Sequence, residues 1–141
     1  AERPELFTDA SGNPMAIPVL DNAGVNGIYR NSEGVEKEVV WGKRARWISL
    51  SARKDNNDIS ICMFDHPENL GFPAYWHARG YGLFAVNNLG KKCYDNSESS
   101  QITVLKKGES ITFRHMLLIK RGGFMAHEEM EEEFKQFEDL K

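Results

Sequence analysis

A chain of 141 residues is the size of one domain and long enough to close a single hydrophobic core. Hydrophobic residues make up 40% and charged residues 28%. The net charge is −3 with one short basic cluster, "GKRAR" at 42–46, which argues against nucleic acid as the main partner because phosphate recognition needs clustered cations. No apolar run approaches the roughly 20 residues that cross a bilayer, so no membrane span is expected.

The chain opens at Ala1 rather than Met, without a visible signal peptide, which fits a cleaved leader and a trimmed terminus equally. Residues 1–35 are rich in turn formers ("DASGNP", "DNAG", "VNG", "NSEG") and poor in alternating apolar positions, which predicts loop, short strands or an arm. "AIPVL" at 16–20 fits an edge strand, because Pro18 has no N–H to give to a ladder. The run from Glu36 to Arg46 reads as a charged strand edge. "ARWISLS" (45–51) and "DISICMFD" (58–65) are β-branched and aromatic, and the polar "ARKDNN" between them predicts a hairpin. In the second run Ile59, Ile61 and Met63 share one face, while Cys62 and Phe64 share the other. A strand apolar on both faces belongs in the middle of a sheet.

"GYGLFAV" (80–86) predicts a third strand, closed by the turn "NNLG". "SQITVLKKGES" and "ITFRHMLLIKRGG" predict a hairpin turning at Lys107–Gly108. Period two places Ile111, Phe113, His115, Leu117 and Ile119 of its second arm on the expected core face. After Gly123 the period changes: Met130, Phe134 and Phe137 recur at helical spacing, predicting a helix over 126–140 that docks by one apolar stripe. Glu128 and Glu129 would sit at its positive end. The expected fold is an all-β antiparallel sandwich with one C-terminal helix.

Cys62 falls in the buried strand and Cys93 in a polar loop, so two free thiols are expected. The four histidines are scattered, with no zinc-type spacing, and neither a metal nor a cofactor is expected. Nucleophile elbow, phosphate loop, dinucleotide fingerprint and metalloprotease helix are all absent.

Three word groups carry a resemblance: "NSEGVEKEVVWGKRARWISLS", "ICMFDHPENLGFPAYWHARGYGLFAVNNLG" and "LKKGESITFRHMLLI". In that order they resemble the PmoA-like family, labelled after a methane-oxygenase subunit and without an established reaction. The similarity covers roughly residues 31–141. Family members carry a longer N-terminal β region, so the chain resembles the C-terminal half of such a domain. Where the family often has an N-P-R-H-P-T-like segment, this chain has "ENLGFPAY", which lacks that Arg and His. The resemblance implies a β-sandwich from bacterial polysaccharide-degrading systems, periplasmic or secreted.

Two constellations stand out as candidate sites. Asp65, His66 and Pro67 follow a core strand directly. There Asp65 could orient His66 as an acid/base or ligand, or it could simply cap the turn while His66 bonds a backbone carbonyl. Tyr75, His77 and Arg79 share one face of an extended segment and Trp76 takes the other. An aromatic ring with an imidazole and a guanidinium suits a sugar or carboxylate; the bland alternative is a Trp core plug and a paired Arg. Asp65, His66 and His77 are therefore the catalytic candidates, and Trp41, Arg44, Tyr75, Trp76 and Arg79 the ligand-binding ones. His66, His77 and Arg79 are expected to converge near Trp41 and Arg44, with Trp76 packing beneath or stacking on a ring, and with Leu70, Gly71 and Phe72 at a loop tip that folds back as a lid or partner contact. His115 reads as a satisfied core residue. Glu33, Glu36 and Asp65 are the carboxylates from which a glycosidase pair could be drawn, at a separation of about 5–5.5 Å or about 6.5–9.5 Å.

The expected function is a carbohydrate-related protein, hydrolase-like or not, with a non-catalytic binding or assembly module as the alternative. A copper-linked oxygenase part is the third reading. The expected partners are a glycan or other small molecule and, because the central strand is apolar on both faces, a second copy of the chain.

Overall fold

The computed structural model describes Ser11 and residues 26–80, 82–95 and 103–140. The edge strand expected at 16–20 lies outside them. Six strands form two antiparallel sheets: β1 (Ile28–Asn31), β2 (Trp47–Lys54), β3 (Asn57–Asp65) and β6 (His115–Arg121) in the order β1-β2-β3-β6, with β4 (Tyr75–Arg79) and β5 (Leu83–Asn87) paired separately. A four-residue helix, α1 (Lys91–Tyr94), follows β5, and α2 (His127–Glu138) closes the described chain.

β2 and β3 are longer than their sequence pattern suggested because their turn is only two residues. Asp55 and Asn56 take φ of 49° and 61°, the left-handed pair that a tight hairpin needs and that short polar side chains tolerate. Register then follows, with Trp47 opposite Phe64 and Ser49 opposite Cys62. β3 has strand neighbours on both sides, as its two apolar faces predicted.

Each face of the large sheet has its own cover. Trp47, Cys62 and Phe64 on one face pack against Met130, Phe134 and Phe137, the stripe expected of α2. Glu131 of α2 adds a polar tie, accepting from Trp47 Nε1 at 2.8 Å and pairing with Arg46 at 3.1 Å. On the opposite face Tyr29, Ile48, Val40 and Ala45 meet Trp76 and Ala78 of β4. The molecule is thus a sandwich of a four-stranded and a two-stranded sheet, with the helix outside the larger one. Cys62 and Cys93 are both free, and burial pushes the Cys62 thiol up, while Cys93 is exposed.

Three expectations need correction. The segment expected as a charged strand edge holds a 3₁₀ turn at Lys37–Val40, because Lys37 adopts φ of 60° and breaks any extended run. In the 101–123 hairpin the turn sits at Lys107–Gly108 as expected, with Gly108 at φ 91°, but among the described residues the first arm forms no ladder and the strand begins at His115. The face of β6 is also inverted: Leu117 and Ile119 are 56% and 62% exposed, while Met116 and Leu118 pack towards α2. Both parities of "HMLLIKR" are apolar enough to serve, and a period of two cannot say which face a neighbour will cover.

Phe134 is 2% exposed, lies parallel to Phe72 at 6.4 Å between centroids, and carries the Arg46 guanidinium 5.2 Å from its ring. Phe134→Ala would leave a cavity between helix and sheet and should lower unfolding free energy by about 3–5 kcal/mol in urea titration.

Candidate functional site

Asp65 ends β3 with no exposed surface. Its Oδ1 accepts from Asn69 Nδ2 at 2.7 Å and Asn88 Nδ2 at 2.9 Å, and its Oδ2 accepts from the Ala74 backbone N–H at 2.8 Å. His115 Nε2 lies 3.3 Å from Oδ1 and 3.1 Å from Asn88 Oδ1. A buried charge persists only with this kind of provision. The network anchors the 66–74 loop, the segment after β5 and the start of β6 to one carboxylate. His115, expected as a satisfied core residue, is instead a partly exposed member of this network.

His66 is 2% exposed and turned the other way, under α2. Its Nδ1 accepts from the Glu68 N–H at 3.2 Å, so Nε2 carries the proton and donates to the Leu140 carbonyl at 3.1 Å, while Phe137 packs edge-on at 5.1 Å. The loop tip does not form a lid over the site. Phe72 inserts against Phe134, and Gly71 passes so close to Asn88 that a Cβ would lie 2.2 Å from its carbonyl oxygen. Trp76 is wholly buried, with Nε1 donating to the Ala45 carbonyl at 2.8 Å, so it is a core plug. Arg44 spends its guanidinium on the Phe72 and Pro73 carbonyls, at 3.0 and 2.9 Å, and holds the loop rather than facing a ligand.

What remains of the expected convergence is the outer face of the β4–β5 hairpin. Strand alternation puts Tyr75, His77 and Arg79 there, opposite Asn87, Ala85 and Leu83. Trp41, just after the 3₁₀ turn, and Tyr94 of α1 stand beside them. The Arg79 guanidinium lies 4.3 Å from the Trp41 ring centroid, and among the described residues it has no hydrogen-bond or ion-pair partner. His77 and Tyr94 meet the indole edge-to-face at 6.1 and 5.4 Å, and Tyr94 stacks on the nearly buried Tyr75 at 5.1 Å. The Trp41 indole N–H is buried without an acceptor among the described residues.

Desolvation, with a smaller contribution from the Arg79 charge, holds His77 below the ordinary histidine range. The folded chain therefore prefers the neutral ring. The stability this confers is complete above the unfolded value near 6.5 and is lost as pH falls through the folded one.

Of the eight candidate residues, the structure brings Trp41, Tyr75, His77 and Arg79 together. It seals Asp65, His66 and Trp76 elsewhere and gives Arg44 a scaffold role. Sequence reasoning missed Tyr94, for which a lone Tyr in the polar "GKKCYDN" offers almost no signal. Of the two remaining carboxylates, Glu36 is paired with Arg30 and Glu33 is exposed, accepting from the Ser32 hydroxyl. Asp65, being sealed, belongs to no accessible pair for glycoside hydrolysis.

A model of a family of unknown function matches residues 8–135, and its description carries no methane-oxygenase name. No curated protein and no solved structure matches the chain.

Asp65→Ala would strand the Ala74 N–H and two amide donors in the interior. It should cost at least about 3 kcal/mol in chemical denaturation.

Proposed function

This chain belongs to that family, DUF6807, whose function is unknown, and on that premise we propose that it is a non-catalytic module that binds a glycan on the outer face of β4–β5. The observation that carries the reading is the partly exposed cluster in which Trp41 and Tyr94 meet His77 and Arg79 of β4. Aromatic rings offer apolar faces to sugar C–H groups, and a guanidinium and an imidazole offer polar contacts to hydroxyls. Because the side chains are already packed on one another, little rotamer entropy is lost on binding.

A hydrolase needs reactive groups that reach the substrate. Asp65 and His66 are buried, so His77 alone of the three catalytic candidates is available to a ligand. The copper reading fits less well still: among the described residues no group of three or more His, Cys, Asp or Glu side chains could hold a metal ion, and no step is derived through copper. A periplasmic or secreted location belongs to the glycan reading and rests on the family resemblance. No helix among the described residues is long and apolar enough to cross a membrane.

A second reading concerns self-association. Leu117 and Ile119 project beside half-buried Ile59 and Ile61, on the part of the large sheet next to the β6 edge. Among the described residues that edge has no strand partner. An antiparallel pairing of β6 with β6 of a second copy, Leu118 facing Leu118, would join both apolar strips on the same face. Sedimentation at high protein concentration should then show a dimer that the double substitution Leu117→Lys, Ile119→Lys reduces to monomer. A wild-type chain that stays monomeric throughout removes this reading.

For the glycan reading, Trp41→Ala should weaken binding to an array-selected oligosaccharide at least about 30-fold, roughly 2 kcal/mol, while the melting temperature stays near that of the wild type. Loss of folding with no separate loss of binding would return the cluster to a packing role.

A further inference from the structure

The donor side of the β4–β5 surface exceeds its acceptor side. Arg79 brings five N–H donors, half-buried, with no acceptor among the described residues. The other guanidiniums meet partners: Arg30 with Glu36, Arg46 with Glu131, Arg53 with Asp58, Arg114 with Glu68, and Arg44 with loop carbonyls. Arg121 bonds Asn57 Oδ1 at 3.1 Å. Arg79 is the exception among the arginines of the described residues, and it is the one that lies in the aromatic cluster. Its place over the Trp41 ring is a cation–π contact, which restrains the guanidinium without using its N–H donors.

We infer that the ligand of this surface carries an oxygen anion, specifically a carboxylated sugar of the uronic acid type, held by the Arg79 fork against Trp41. This deepens the glycan reading and rests on it. A planar carboxylate matches the guanidinium fork with two parallel hydrogen bonds, whereas a hydroxyl engages it with one. Ala85, directly across from His77, is the smallest side chain on the outer face.

His77 provides an internal reporter. The groups facing it are Arg79 from its own strand, Trp41 from the preceding loop and Tyr94 from α1, and no carboxylate among the described residues contacts it. An anion seated on Arg79 cancels the charge that helps to depress the imidazole, so the His77 titration midpoint rises when the site fills.

Two measurements on the full chain test this. The first follows the His77 ring by NMR titration between pH 5 and 8 in sodium acetate and in sodium chloride of equal ionic strength. Acetate should raise the midpoint saturably in the wild type and not in Arg79→Gln, whose melting curve should match the wild type. The second compares binding of an oligogalacturonide, its fully methyl-esterified form and a sulfated oligosaccharide. The acid form should bind at least about tenfold more tightly than its ester, and Arg79→Gln should abolish that preference. Equal binding of acid and ester overturns the inference while leaving the glycan reading in place. Preference for the sulfated sugar over the acid overturns the carboxylate assignment. An acetate response with no glycan binding overturns the glycan reading while keeping the anion site. No response in either measurement overturns both.

Discussion

The Asp65 carboxylate is the constraint on which the rest of the site's architecture hangs. It sits at the end of the central strand, fully removed from water, and converts that unfavourable position into a hub by accepting from Asn69, Asn88 and the Ala74 backbone, with His115 at the same oxygen. In a low-dielectric interior such bonds are strong when complete, and an unmatched charge is costly. The 66–74 loop is therefore held at its middle and its end, and Tyr75, the first residue of β4, is placed by the loop that precedes it. The outer hairpin inherits its position from a residue that no ligand touches.

The large sheet distributes its apolar residues between two unlike covers. Phe64 and Cys62 look towards α2, while Ile48 looks towards Trp76 and Ala78. The loop that Asp65 organises links both layers: Phe72 stacks on Phe134 of the helix, and the Phe72 and Pro73 carbonyls accept from Arg44 on the hairpin side. One connection thus ties the helix layer, the sheet and the two-stranded layer together. The hairpin's inner face is spent on the core through Trp76, so its outer face is the part left to meet a partner.

That outer face is assembled from three separate stretches of chain. Trp41 comes from the turn before β2, His77 and Arg79 from β4, and Tyr94 from α1 after β5. Edge-to-face contacts and the cation over the indole hold these groups to one another, so the surface is preorganised. The same contacts desolvate His77 and keep its ring neutral near neutrality.

Local periodicity alone determined a good part of this protein. It fixed the β2–β3 hairpin, the central place of β3, the helix stripe of Met130, Phe134 and Phe137, and the split of β4 into Tyr75, His77 and Arg79 against Trp76. Each of these depends on side-chain alternation or helical spacing within one segment, and spacing is legible without a partner. Only tertiary structure decided the face of β6, the burial of His66 beneath α2, the role of His115 beside Asp65 and the arrival of Tyr94 at Trp41. In each case the answer depends on which distant element covers a position. "HMLLIKR" is apolar on both parities, His66 is indistinguishable in sequence from an exposed loop histidine, and Tyr94 lies more than fifty positions from the indole it meets. Burial is a property of the neighbours a residue acquires, and those are chosen by the packing of the whole chain.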